Sequence, residues 1–138
     1  MIQKISHTAV YVLDAESAKK FYTEKLGFDV NTDAKMENGF RWLTVSPKGQ
    51  PDLEVTLLEV KPGMALDEAS AAALRALVQK GVFGVGVLET SDCRGTYEEL
   101  KAKGVEFKGP PQEQFYGIEC VLKDDSGNWW SMSERPKK

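Results

Sequence analysis

Residues 4–12 alternate in character, with Ile5, Thr8, Val10 and Val12 among them. Side chains two apart share one face of a strand, so this stretch predicts a β-strand. From Asp14 the period changes, and Ala18, Phe21, Tyr22 and Leu26 fall on one side of a helix. Asp14 is the predicted N-cap, because a short carboxylate accepts from the unpaired N–H groups two or three residues on. Gly27 supplies a left-handed stop. Strands are predicted at about 28–33, 39–46 and 52–60, with Pro47-Lys-Gly-Gln-Pro51 as turn chemistry between the last two. Residues 61–66 read as a loop. An Ala-rich helix over 67–80 follows, capped by Asp67, lined by Ala69, Ala72, Ala73, Leu74, Leu77 and Val78, and ended by Gly81.

The first pattern then recurs. A strand is predicted at 83–90, a helix at 93–103 capped by Asp92, and strands near 105–109, 117–123 and 128–134, with Asp124-Asp-Ser-Gly127 as a turn. The predicted architecture is a single α+β domain over 1–138, built from two βαβββ modules. Module one covers 1–60, a helical connector 61–81, and module two 82–138. Each sheet buries one face against its helices, which leaves the other to curl into a cup.

The two copies disagree at chemical positions. Asp14 and Asp92 are 78 apart and Gly27 and Gly104 are 77 apart, which places a one-residue loss in the second helix. At these offsets His7 is matched by Val85, and Glu54 by Ser131. Ligand-type side chains in one copy stand opposite inert ones in the other.

Composition narrows the function classes. With 41% hydrophobic and 28% charged residues in 138, the chain has an ordinary globular balance and enough length for a core. A net charge of -3, with no basic cluster beyond Pro136-Lys-Lys138, argues against nucleic-acid binding. The start, Met1 to His7, lacks the apolar run of a signal peptide or membrane span, so the expectation is a soluble cytoplasmic protein. Cys93 and Cys120 have no metal-type spacing and read as unpaired buried thiols. Cys93 starts a helix, where the dipole lowers a thiol pKa, but no base is adjacent and a structural role is the better account. Asp124 and Asp125 are adjacent and project apart, so turn formation explains them better than paired-acid chemistry. No Ser–His–Asp arrangement, P-loop or dinucleotide fingerprint is present.

Several stretches together resemble the vicinal oxygen chelate superfamily, which includes glyoxalase I, bleomycin-resistance proteins and extradiol dioxygenases. They are His7 to Asp14, Phe21-Tyr22, Leu26-Gly-Phe28, Leu53 to Leu57, Asp92 to Gly104 and Asp124 to Asn128. In metal-dependent members a first-strand His, a fourth-strand Glu and their second-module counterparts surround one divalent ion. Carried over, these are His7, Glu54, Val85 and Ser131, of which the first two can coordinate. An ion held by one imidazole and one carboxylate relies on water for its other sites and binds weakly. Glu89 and Glu119 are the acidic residues nearest the pattern, and neither occupies a family ligand position.

Metal-free members bind aromatic drugs in the same cup, and this chain has material for that. Strand parity turns Tyr11, Trp42, Thr44, Thr56, Leu58 and Trp129 toward the cup along with His7, Glu54 and Ser131, and sends Trp130 and Met132 to the helices. Phe115 and Tyr116 sit in a Gly-flanked segment at the rim. The candidate ligand-binding residues are therefore His7, Tyr11, Trp42, Glu54, Thr56, Tyr116, Trp129 and Ser131. The expectation is a metal-independent protein that binds an aromatic or antibiotic-like ligand, with no cofactor. The resemblance also implies a homodimer. The competing expectation is a metal-dependent lyase, isomerase or dioxygenase using His7 and Glu54. His7 as a satisfied strand histidine, Glu54 as a solvated strand carboxylate, and Trp42 and Trp129 as core indoles are the plainer alternatives.

Overall fold

The computed structural model describes residues 1–63 and 65–137 and has an α+β architecture; Met64, in the expected loop, and Lys138, in the basic terminus, lie outside the described residues. Module one is β1 (His7–Val12), α1 (Ala15–Lys20) continued by a π turn (Phe21–Lys25), β2 (Asp29–Lys35), β3 (Arg41–Ser46) and β4 (Glu54–Glu59). The connector helix is α2 (Glu68–Lys80). Module two is β5 (Gly84–Glu89), α3 (Cys93–Ala102), β6 (Glu106–Phe107), β7 (Gln112–Gln114), β8 (Gly117–Lys123) and β9 (Trp129–Glu134). The sheets run β1-β4-β3-β2 and β5-β9-β8-β6, with β1 parallel to β4 and β5 parallel to β9. β6 and β7 add in turn to one edge of β8, around Gly109-Pro110-Pro111. Proline has no N–H for a ladder, so the edge strand that is unbroken in module one is split here.

The duplication is visible in hydrogen bonds. Asp14 accepts from the Ser17 N–H at 2.8 Å, and Asp92 from the Gly95 N–H at 2.9 Å. Glu59 accepts from the Ala15 N–H, and Glu134 from the Cys93 N–H, both at 2.8 Å. The one-residue discrepancy between the copies is taken up in the first helix, whose end widens so that the Leu26 N–H reaches the Phe21 carbonyl at 3.2 Å. A five-residue hydrogen-bond step accommodates one more residue per turn than the α-helix does. Both helices then stop on a positive-φ glycine, Gly27 at 75° and Gly104 at 89°.

One core joins the modules. Val10, Val12, Leu43, Val45, Val55 and Leu57 of the first sheet meet Leu122, Trp130 and Met132 of the second, with Phe21, Tyr22, Cys93 and Leu100 from the helices. Strand parity held at the strand positions it assigns, Leu43, Val45, Trp130 and Met132 among them. The expected lining of α2 is buried at Val78, while Ala71, outside that lining, is buried and Leu77 is 43% exposed. Alanine offers little apolar area to bury, so the run over 69–73 does not fix a helical face. No helix among the described residues is long and apolar enough to cross a membrane. On the outer side Arg41 grips Asp33 with two bonds of 2.8 and 2.9 Å, and Lys19 adds a third at 2.7 Å. These cations hold the Asp33 carboxyl well below the usual carboxylate range.

The modules are locked by a buried polar chain. The Trp130 indole donates to the Tyr22 hydroxyl at 2.9 Å, and that hydroxyl donates to Asp124 at 2.7 Å. The other oxygen of Asp124 accepts the N–H groups of Ser126, Gly127 and Asn128. Asn128 also donates to the Tyr11 carbonyl at 2.7 Å. Burial, and then the neighbouring Asp124 charge, push the Tyr22 phenol up, so it stays a donor. Asp124 thus does form the turn, as its sequence context suggests, and it also ties that turn to the first helix. Tyr22→Phe leaves the Trp130 indole and Asp124 short of a partner, and should cost about 1–3 kcal/mol. Asp124→Ala removes the whole anchor and should cost about 4 kcal/mol, with urea denaturation as the measurement.

Cys93 and Cys120 are free and buried as expected, yet their sulfurs lie 3.9 Å apart. Burial pushes both thiols up, Cys120 to about 12, and outweighs any helix-end effect on Cys93. Neither thiol should react with a disulfide-exchange reagent in the native protein, and both should titrate once urea unfolds it.

Candidate functional site

Parity that turns Val10, Leu43, Val45, Val55 and Leu57 inward leaves His7, Tyr11, Trp42, Thr44, Glu54 and Thr56 on the opposite face of the first sheet. The register brings them together, because His7 stands beside Glu54, Tyr11 beside Leu58, and Thr56 between Ala9 and Thr44. The Thr44 hydroxyl donates to one Glu54 oxygen at 2.8 Å, and the other lies 3.2 Å from His7 Nε2. His7 Nδ1 is 3.0 Å from the Ser6 hydroxyl. Glu54 is therefore held from both sides, with its side chain 27% and the His7 ring 42% exposed. Trp42 packs between His7, at 6.2 Å between ring centroids, and Phe40, at 5.9 Å. This wall combines fixed polar groups with an indole and the phenol of Tyr11, which is 39% exposed.

The second sheet has a different face. Trp129, Ser131, Val121 and Lys123 lie opposite the core-facing Trp130, Met132, Cys120 and Leu122. Val85 does not join them. A bulge between Gly84 and Gly86 turns Val85 onto the core, and Val87, 68% exposed, takes the outward place beside Ser131. The Trp129 ring lies across Gly84 so closely that a Cβ there would come within 2.4 Å of it. The Lys108 ammonium sits 4.6 Å from the centre of the same ring. Tyr116 is on the β7–β8 turn, donating to Glu119 and stacked edge-on with the 95% exposed Phe115.

The register also corrects the matching of the copies. Glu59 and Glu134 play one role and are 75 apart, and Glu89 faces Ser133 as Tyr11 faces Leu58. Glu54 is thus matched by Trp129, and Ser131 by Thr56. The pair His7 and Glu54 corresponds to Gly84 and Trp129, not to Val85 and Ser131. The loop between the last two strands is shorter in module two, and an offset carried from the helices across that loop goes astray by two residues.

The donor set can be compared with what a divalent ion needs. Structural and catalytic zinc sites use three or four protein ligands. Here the four corresponding positions offer two, and Nε2 of His7 and the free oxygen of Glu54 already face each other. Among the described residues no group of three or more His, Cys, Asp or Glu side chains converges. The residues present do not fit a firmly held divalent ion.

Of the predicted site residues, His7, Tyr11, Trp42, Glu54 and Thr56 share one face and Trp129 and Ser131 another, while Tyr116 stands apart on a turn. Parity places Thr44 toward the cup but does not give its bond to Glu54. Sequence reasoning omitted two contributors. Val87 was hidden by the bulge, and Lys108 lies where a broken strand gives no period. Gly84→Ala should push Trp129 off the sheet, costing about 1–3 kcal/mol in urea denaturation. Its tryptophan emission should shift to the red as the indole moves toward water.

Comparison with known proteins identifies the family and the fold. The model of the Glyoxalase/Bleomycin resistance protein/Dioxygenase superfamily matches residues 4–132. The uncharacterized protein YetH of Bacillus subtilis (strain 168) is 37% identical over 134 residues, covering 97% of this chain and all of that one. The crystal structure of UcmS2 superposes with a TM-score of 0.92 at 47% identity, covering 97% of this chain and 99% of that one. TnmS3, an antibiotic binding protein from Streptomyces sp. CB03234, superposes with a TM-score of 0.76 at 28% identity and 98% coverage of both chains.

Proposed function

The chain belongs to the glyoxalase/bleomycin resistance protein/dioxygenase superfamily, and we propose that within it this protein binds an aromatic, antibiotic-like small molecule without a metal ion. The observation that carries this reading is the second wall. Where module one has the His7–Glu54 pair, module two has a glycine with an indole laid over it. That exchange replaces ion coordination by a flat apolar platform, the surface an aromatic ring stacks on. On the other wall, Trp42 and Tyr11 supply aromatic contacts, and His7, Glu54 and Thr56 supply polar anchors whose positions are already fixed. The structural similarity to the antibiotic binding protein TnmS3 supports the ligand class.

Two copies of the chain complete each cup in this reading. The outward faces are open within one chain, with Val87 at 68% and Tyr11 at 39% exposure. A homodimer in which the first wall of one protomer meets the second wall of its partner covers both. Sedimentation velocity should then show one species of twice the chain mass.

Titration with a panel of aromatic antibiotics, followed by tryptophan fluorescence, is expected to give saturable quenching that Trp129→Ala weakens by at least about tenfold. Binding should survive a chelator, and elemental analysis should find no stoichiometric metal. A metal bound one-to-one and lost in His7→Ala would instead favour a metal-assisted lyase, isomerase or dioxygenase. No response to any compound in the panel would count against ligand binding itself.

A further inference from the structure

The second wall holds a charge that ring stacking alone does not use. Trp129 lies against Gly84 on one side, since no Cβ separates the ring from the β5 backbone. The Lys108 ammonium lies over the ring, 4.6 Å from its centre. The base of Lys108 is fixed, because its N–H donates to the Val121 carbonyl at 2.9 Å and Phe107 pairs with Leu122. Its head is not. Among the described residues Lys108 takes part in none of the ion pairs that engage Lys19, Lys48, Lys61 and Lys103. A ligand that stacks on the ring face beneath this ammonium enters where it sits.

We propose that Lys108 is a specificity-determining residue of the cup, selecting planar ligands that carry an anionic oxygen group over neutral or cationic ones; this rests on the ligand-binding function proposed above. A neutral ring displaces the ammonium from the indole and returns nothing for it. A ring with a sulfonate, carboxylate or ionised hydroxyl lets the ammonium swing a short way from the π face onto an oxygen, exchanging a cation–π contact for an ion pair. A cationic ring meets repulsion in the same place.

The surrounding charges leave this selection in place. Lys123 is the register partner of Trp129, and Glu106 the partner of Lys123, so that a cation and an anion stand on neighbouring strands there. Glu119 and Glu89 stand in the row of Ser133, four residues along β9 from Trp129. At about 3.3 Å per residue that is roughly 13 Å, beyond a screening length of about 8 Å at physiological salt. Both are also engaged, Glu119 by the Tyr116 hydroxyl and Glu89 by Arg135. On the facing wall Glu54 is held by His7 and Thr44. Lys108 is the charge that sits over the platform ring.

Three probes with one ring system separate the outcomes: pyrenesulfonate, pyrenemethanol and pyrenemethylammonium, titrated into the full-length protein by calorimetry. Wild type should bind the sulfonate about tenfold more tightly than the alcohol, and the ammonium most weakly. Lys108→Ala should bring the sulfonate to within about twofold of the alcohol. Lys108→Arg should keep the preference and Lys108→Glu reverse it. Lys108 is exposed, so an unchanged melting temperature is expected for all three variants and serves as the folding control. Equal affinity for the three probes in wild type, or a uniform loss for all three in Lys108→Ala, overturns the role of Lys108 while ligand binding stands. Failure of every probe to bind removes the platform and this proposal with it.

Discussion

The Tyr22 hydroxyl, placed between the Trp130 indole and the Asp124 carboxylate, is the contact on which the arrangement of this protein depends. Each βαβββ module has a sheet and a helix, but the core is shared, so their relative placement must be specified by something directional. Apolar packing alone tolerates sliding; a buried hydroxyl that must donate to one group and accept from another does not. Asp124 spends one oxygen on the turn before β9 and the other on Tyr22, which fixes where β9 begins. Every outward residue of β9, Trp129 and Ser131 included, inherits its position from that anchor.

The two walls show how a duplicated scaffold diverges without losing its frame. What the copies share is local and backbone-directed: an aspartate cap on each helix, a glutamate from the last strand reaching the helix start, and a glycine stop. What they do not share is the outward face. Module one holds a hydrogen-bonded Thr–Glu–His series beside Trp42, and module two holds an indole over a glycine, capped by a lysine. Outward residues lie outside the shared apolar core, so exchanging them leaves that core intact and changes the chemistry of the face.

The superfamily to which the chain belongs takes in glyoxalases, bleomycin resistance proteins and dioxygenases on one scaffold, so fold membership alone does not choose between enzyme and binding protein. The proposed binding function rests on side chains at corresponding positions. Two donors facing each other on one wall, and none at the matching positions Gly84 and Trp129 of the other, favour preorganisation over chelation. Anchors fixed before a ligand arrives lose little entropy on binding.

Much of this was readable from the sequence because it is periodic or local. Alternation separated Val10, Leu43, Val55, Trp130 and Met132 from His7, Trp42, Glu54 and Trp129, and the caps at Asp14, Asp67 and Asp92 are short-range chemistry. The duplication itself, and with it the two-module architecture, followed from repeated pattern. Tertiary structure decided the rest. The bulge at Gly84–Gly86 turned Val85 inward, and the register of β9 matched Glu54 to Trp129 rather than Ser131. The nearness of Cys93 to Cys120 and the reach of Asp124 to Tyr22 join residues far apart in the chain. Periodicity fixes which face a side chain takes within a strand. Which strand position it stands beside depends on hydrogen bonds between distant residues, and those exist only once the chain has folded.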